Sequence, residues 1–162
     1  MSKYGLKIAK KYGEKLKTFH EVSEAEKYFF SQKEYLLNKL ETVCEQGSDF
    51  FPDYSVDSLK RLERWYFDLY EKKGFHKLGV AKNEFESMMS VYFGEVVVKN
   101  VEDAKWIVEE YAFTKNKYYL LVNRGGLSMA IMSIRSMFYN HDQAPNNKRR
   151  NLIFREYNKY FR

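Results

Sequence analysis

The segment from Ser90 to Asn100 has an apolar pattern that does not fit a half-buried strand, because Val96, Val97 and Val98 break any alternation. At 100° per residue, large side chains fall on one side of a helix and small ones on the other: Phe85, Met89, Tyr92, Phe93 and Val96 against Ser87, Val91, Gly94 and Val98. A helix that is apolar nearly all round is typically buried. The pattern predicts a central helix over 84–100, with Gly94 allowing close packing rather than forming a phosphate loop.

Two amphipathic segments precede this helix. The first predicts a helix over 24–46, opened by a capping box at Ser23 and Glu26 and ended at Gly47. Its apolar face consists of Ala25, Phe29, Leu36, Leu40 and Val43. The second begins after a cap at Ser55 or Asp57 and ends at Gly74. Its apolar arc consists of Leu59, Leu62, Tyr66, Leu69 and Tyr70.

The first 20 residues predict a basic N-terminal arm. Apolar residues recur every fourth position at Tyr4, Ile8, Tyr12 and Leu16, among lysines. Gly5 and Gly13 weaken a helix here, each by roughly 1 kcal/mol relative to alanine. Two interpretations follow: a helix that lies on an anionic surface, or a loosely docked arm with solvated lysines, which we favour.

After Asp103 the apolar period changes to two. Residues 104–109 and 118–122 predict strands, and 127–132 a third, with turns at Asn116-Lys117 and at 123–126. A short helix over 131–138 and a polar loop over 141–147 follow. The fold class is therefore α+β: an antiparallel meander over about 104–132 that packs on the helix at 84–100, with Trp106 buried against Tyr92 or Phe93.

The last segment, 147–162, predicts a basic amphipathic helix. Lys148, Arg155, Lys159 and Arg162 form one stripe, opposite Ile153, Tyr157 and Phe161. A terminal helix with such an apolar face is expected to be covered. We expect it to fold onto its own domain against the helix at 24–46. A two-fold dimer is the alternative, so the chain is a monomer or a homodimer.

Charge is concentrated at the two ends. Net charge is +6 over 162 residues, but residues 1–17 carry six lysines against one glutamate. Residues 146–162 likewise carry six basic side chains against one glutamate, so the body between is slightly acidic. With 44% hydrophobic residues, the chain suits one packed domain. A single cysteine excludes an intrachain disulfide and, with no membrane span or signal peptide, indicates the cytoplasm.

Candidate chemistry is sparse. The three histidines are dispersed, nucleotide and metal motifs are not found, and we expect neither metal nor cofactor. Arg124-Gly125-Gly126 fits an anion nest, but a hairpin turn needs fewer assumptions. Glu95 lies on the apolar helix with Arg124 and Arg135 as possible partners. An internal ion pair or a cap on strand amides is the favoured interpretation of Glu95, and a general base or ligand contact is the alternative.

Four stretches together show a layout that resembles small uncharacterised bacterial α+β domains: SVDSLKRLERWY, FESMMSVYFGEVVVKN, AKWIVEE and KYYLLVNRGG. The shared features are an S-L-x-R-L-E helix, a Y-[LF]-G-E helix and a following Trp strand, over about residues 55–130. Some such domains are similar to immunity proteins that neutralise toxins. The resemblance implies the fold more strongly than any activity.

We therefore expect a non-enzymatic, cytoplasmic protein-binding module of the immunity type, with a protein or toxin as partner. The alternative is nucleic-acid binding through the basic ends, with Lys148, Arg155 and Lys159 on phosphates. An enzyme ranks third. The candidate binding residues are Glu95, Arg124, Lys148, Arg155 and Lys159.

Overall fold

A computed structural model describes residues 2–46, 48–130 and 151–162. These ranges contain five α-helices: α1 (Lys3–Glu14), α2 (Val22–Cys44), α3 (Ser58–Glu71), α4 (Lys82–Asn100) and α5 (Leu152–Phe161). A short 3-10 helix covers Phe75–Leu78, between α3 and α4. Three strands lie between α4 and α5: β1 (Ala104–Glu110), β2 (Tyr118–Arg124) and β3 (Leu127–Ala130). The α+β prediction is confirmed.

The apolar segment 90–100 lies within α4. Residues from both of its predicted faces are buried, including Tyr92 and Val96 on the large face and Val91 on the small one. Gly94 is buried in the same helix. Helix α4 contacts α2, α3, α5 and the sheet, which explains why a helix without a polar face is stable here. The central helix is therefore confirmed.

The sheet is an antiparallel meander in the order β1-β2-β3. Trp106 lies opposite Val122 in the first pair, and Arg124 opposite Leu127 in the second. Left-handed backbone at Asn116 (φ 62°) and Gly125 (φ 54°) allows the two predicted turns. Both α2 and α4 contact β1 and β2, so the two helices cover the sheet together.

Two clusters of buried side chains form the core. The larger one surrounds α4 and includes Phe85, Tyr92 and Val122. The smaller one joins the start of α2 to the hairpin through Phe19, Ala25 and Tyr118. Trp106 is partly buried and packs against both clusters, so this side chain links them.

The helix starts differ in part from the predictions. Helix α2 begins at Val22 with Glu21 at its N-cap, so the predicted capping box at Ser23 is wrong. Glu24 instead accepts a hydrogen bond from the backbone N–H of His20 at 3.2 Å, which secures the turn before the helix. At α3, the hydroxyl of Ser55 accepts from the backbone N–H of Ser58 at 3.2 Å, as one of the two alternatives predicted.

The N-terminal arm is a helix, and most of its predicted apolar stripe remains exposed. Tyr4 is 75% exposed and Ile8 52% exposed, whereas Gly13 is buried. A Cβ atom at Gly13 would come within 2.9 Å of Tyr111 Cδ1 and would also overlap Thr114. The helix therefore docks by a side that carries a glycine, because only a small residue allows this approach.

Helix α5 folds back on its own chain, as expected, but its neighbours are α3 and α4 rather than α2. Phe161 contacts Phe93 of α4, with 6.3 Å between ring centroids. Ile153 and Tyr157 are buried beside it. The predicted helix over 131–138 and loop over 141–147 lie outside the described residues.

Candidate functional site

Glu95 and Trp106 form a direct contact between α4 and β1. The indole Nε1–H of Trp106 donates to Oε2 of Glu95 at 2.8 Å. Lys33 of α2 lies 3.9 Å from the same oxygen and 5.3 Å from the centroid of the Trp106 ring. The side chains of Lys33 and Glu95 are both mostly buried, and each provides the opposite charge that a buried charged group requires. The contacts of Glu95 are those of an internal ion pair, with Lys33 as the cation.

Arg124 binds a different part of the molecule. Its Nη1 donates to the carbonyl of Phe161 at 3.0 Å, and its Nε lies 3.4 Å from Asp103. A cation at the last carbonyl groups of a helix is favourable because these oxygens have no partner within the helix. Arg124 thus connects β2 to the end of α5, and the structure does not bring it together with Glu95. Arg135 lies outside the described residues.

The cationic stripe of the last helix faces solvent. Arg155, Lys159 and Arg162 are exposed on α5, opposite Ile153 and Tyr157. Lys148, the fourth predicted member, lies outside the described residues. The described part of the stripe has the sidedness that its spacing predicted.

Glu63, which was not among the residues predicted to be functional, is fully buried on α3. Its Oε1 accepts from the backbone N–H of Ile153 at 3.1 Å, at the first turn of α5. Burial raises the pKa of Glu63 to about 7, although the backbone N–H groups of residues 151–153 and Arg155 oppose the rise. Its Oε2 has no hydrogen-bond partner in the part of the chain that the structure describes. Glu63 therefore caps α5 from inside the core.

A signal for Glu63 was present in the sequence. Its neighbours four residues before and after are Leu59 and Phe67, and both are buried. Positions four apart lie on the same helix face, so a carboxylate between two apolar residues indicates burial with a partner. Its partner is about 90 residues away in the chain, which no local pattern reveals.

Cys44 is buried near the end of α2. Burial raises the pKa of its thiol, and the neighbouring Glu45 and Glu41 raise it further. A raised pKa disfavours the nucleophilic thiolate. Cys44 is therefore a packed core thiol in an environment that does not activate it.

The most exposed apolar side chains of the described residues include those of α1. We define the outer stripe of α1 as Tyr4, Ile8 and Tyr12, with Lys7 and Lys11 beside it. Tyr12 also packs its ring against Tyr111, with 5.4 Å between centroids, and the hydroxyl of Tyr111 donates to the carbonyl of Ala9 at 3.0 Å. The stripe is therefore held on a docked helix while most of it faces solvent.

The two basic segments lie at different ends of the β1–β2 hairpin. Helix α1 contacts Tyr111, just after β1 ends, whereas the end of α5 binds Arg124, which pairs with Ala104 at the start of β1. Seven residues of strand separate these points, or roughly 23 Å at about 3.3 Å per residue. The outer stripe of α1 and the cationic face of α5 are thus separate surfaces.

Two further properties of the described residues concern the requirements of a membrane span and of a metal site. None of their helices is both long and apolar enough to cross a bilayer. Their His, Cys, Asp and Glu side chains form no group of three or more that could hold a metal ion.

Comparison with known proteins shows the family. Residues 18–161 match the model of a family described as uncharacterised protein YwmA. An uncharacterised YwmA protein of Bacillus subtilis (strain 168) is 31% identical over 111 residues, which cover 68% of this chain and 70% of that protein. No solved structure matches. The match includes α2 to α5 and extends well beyond the residues that carried the layout resemblance, whereas α1 precedes it. The chain belongs to the uncharacterised YwmA family.

Proposed function

We propose that this chain is a non-enzymatic protein-binding module of the cytoplasm, and that the outer stripe of α1 binds an acidic surface of its partner. The observation that carries the proposal is the exposure of Tyr4 and Ile8 on a helix that is itself docked. Apolar side chains that are held in water outside a core commonly mark an interaction surface. Helix α1 also lies outside the residues that match the family, which suits a function particular to this chain.

The composition of the stripe favours a protein over a membrane. Tyrosine is enriched among the residues that contribute most to protein interfaces, and two of the three stripe residues are tyrosines. An interfacial membrane helix buries a broader apolar face, commonly with Trp, Phe or Leu. The lysines beside the stripe complement acidic groups and would accelerate association. A toxin partner, as in immunity proteins, is the specific form of this proposal that the layout resemblance supports.

The test begins with purified protein used to recover partners from a bacterial lysate, followed by binding measurements with the purified partner. Two surface variants remove the two components of the stripe: Tyr4→Ser/Ile8→Ser and Lys7→Glu/Lys11→Glu. Each should weaken binding at least tenfold, or about 1.4 kcal/mol. Lys27→Glu, on the exposed side of α2, is the matched control and should bind as the parent does.

The outcomes separate the proposal from its competitors. A partner that binds all variants equally would contradict the role of α1. Recovery of lipid or nucleic acid alone, with no protein that responds to the variants, would contradict protein binding. Identification of the partner as a toxin would establish the immunity form.

A second candidate is nucleic-acid binding through α5, which the exposure of Arg155, Lys159 and Arg162 along one helix face favours. Contacts of this kind weaken steeply as salt rises. In a gel-shift assay at low and high salt, Arg155→Glu/Lys159→Glu should abolish any shift while Lys27→Glu leaves it unchanged. No shift at low salt would exclude this candidate.

A further inference from the structure

A cleft of about 470 Å³ lies between α3, the turn at 48–50 and the 3-10 helix. Volumes of this size are typical of small-molecule sites. Helix α3 supplies one wall, with six residues at spacings of three and one: Arg61, Arg64, Trp65, Asp68, Leu69 and Lys72. These residues lie on a single helix face. We call this space the α3 cleft.

The charges of the α3 cleft are mainly positive. Four cationic side chains line it against two carboxylates, with Lys77 contributed by the 3-10 helix and Asp49 by the turn. Arg61 is held by Asp53 at 3.3 Å. Arg64, Lys72 and Lys77 are exposed and form no ion pair with any residue that the structure describes. Their charge is therefore available to an anion.

The floor of the α3 cleft is aromatic. Phe50 is buried and stacks on Trp65, with 5.9 Å between ring centroids and 21° between planes. The ring of Trp65 also packs edge to face with the core residue Phe85, with 5.0 Å between ring centroids, so its position is fixed. The floor thus offers an aromatic ring in a fixed position.

These features select the chemistry of a ligand. Guanidinium and ammonium groups together suit a phosphate, which carries more charge than a carboxylate. The ring of Trp65 favours a planar or apolar portion. Inorganic phosphate would use only the first of these two features.

We propose that the α3 cleft binds a small organic phosphate that carries a planar or apolar portion, with the phosphate beside Arg64, Lys72 and Lys77 and the remainder against Trp65. This inference does not rest on the protein-binding proposal, because α1 contributes nothing to the cleft. The cleft lies within the residues that match the family, so the ligand would be a property of the domain rather than of its N-terminal arm.

The test uses adenosine monophosphate and inorganic phosphate as probes. In a Trp106→Phe background, Trp65 is the one remaining tryptophan, so its fluorescence reports the cleft directly. Calorimetry on the parent chain provides a second measurement that does not depend on this substitution. Adenosine monophosphate should bind saturably, at least tenfold more tightly than inorganic phosphate, and should change the emission of Trp65.

Arg64→Gln/Lys72→Gln should weaken the binding of adenosine monophosphate at least tenfold. The melting temperature should be unchanged, because both side chains are exposed. Lys27→Gln, distant on α2, should bind as the parent does. The proposal is overturned if no saturable binding occurs, or if the cleft variant binds like the parent. Equal affinity for the two probes would overturn the role of Trp65.

Discussion

Glu63 combines two opposing physical effects in one side chain. The N-terminal turn of α5 favours a negative charge, both through its unpaired N–H groups and through the helix dipole. Full burial disfavours that charge more strongly, and the pKa of Glu63 is therefore raised to about 7 from its ordinary value of 4.5. The folded protein thus holds the proton of Glu63 more tightly than the unfolded chain does.

The stability of the folded state should consequently fall as pH rises from about 4.5 to above 7. Below the pKa of the unfolded chain, Glu63 is protonated in both states and no charge is buried. Above the pKa of the folded state, Glu63 is ionised in both states, so folding carries the full cost of burying the charge. The pKa difference corresponds to about 3 kcal/mol. Urea unfolding of the parent and of Glu63→Gln at several pH values isolates this contribution, because the amide does not titrate. A difference between them that does not change with pH would contradict the prediction.

Glu95 can be tested by comparing two substitutions. Glu95→Gln keeps an acceptor for the indole N–H of Trp106 and loses only the attraction to Lys33, which lies 3.2 Å from Glu34 as well, so the loss of stability should be smaller than for alanine. Glu95→Ala leaves a half-buried donor unsatisfied, so the loss should be about 1–3 kcal/mol. Denaturant unfolding measures both values. If the two variants are equally stable, the hydrogen bond to Trp106 does not contribute to folding.

At the scale of elements, the docking of α1 depends on the absence of a side chain at Gly13. Alanine is intrinsically better in a helix by roughly 0.5–1 kcal/mol, so propensity alone predicts that Gly13→Ala stabilises α1. The structure predicts the opposite, because the new methyl group would meet Tyr111 and Thr114. Limited proteolysis at the α1 lysines should therefore become faster.

Ile8→Ala is the matched control for this measurement, since Ile8 faces solvent. Its cleavage rate should stay close to that of the parent. The melting temperature of the whole chain should change little in Gly13→Ala, because α1 belongs to neither buried cluster. Unchanged or slower cleavage of Gly13→Ala would show that the contact with Tyr111 and Thr114 can relax.

For the whole molecule, the position of α5 decides between a monomer and a dimer held by that helix. Its apolar side chains Ile153, Tyr157 and Phe161 are buried in their own chain, so no second copy is needed to cover them. We expect a monomer of about 19.5 kDa in solution by light scattering. Removal of residues 147–162 should leave the truncated chain monomeric but much less stable, because the larger cluster loses these contacts.

Ile153→Ala is a milder test of the same contact and should cost about 2–5 kcal/mol, as for other buried isoleucines. Lys159→Ala, on the exposed face of α5, should change stability by less than about 0.5 kcal/mol. A parent mass twice the expected value, halved by truncation, would instead support the dimer.

The sequence by itself determined the elements with strong local patterns. The all-apolar surface of α4, the two faces of α5 and the period of two in β1 follow from residues at most four positions apart. Such residues are neighbours in a helix or strand whatever the rest of the chain does, so their pattern is sufficient. The turns at Asn116 and Gly125 were predictable for the same reason, since asparagine and glycine tolerate left-handed backbone.

Only the tertiary structure decided which elements meet and which polar groups pair. Glu95 binds Trp106 and Lys33 instead of Arg124, Glu63 caps a helix about 90 residues away, and α1 docks by Gly13 and Tyr12 while Tyr4 and Ile8 stay exposed. Each outcome depends on the distance between atoms of different elements, which packing fixes after the elements have formed. Burial then decides the charge state of a group such as Glu63, because desolvation depends on the whole surrounding core rather than on adjacent residues.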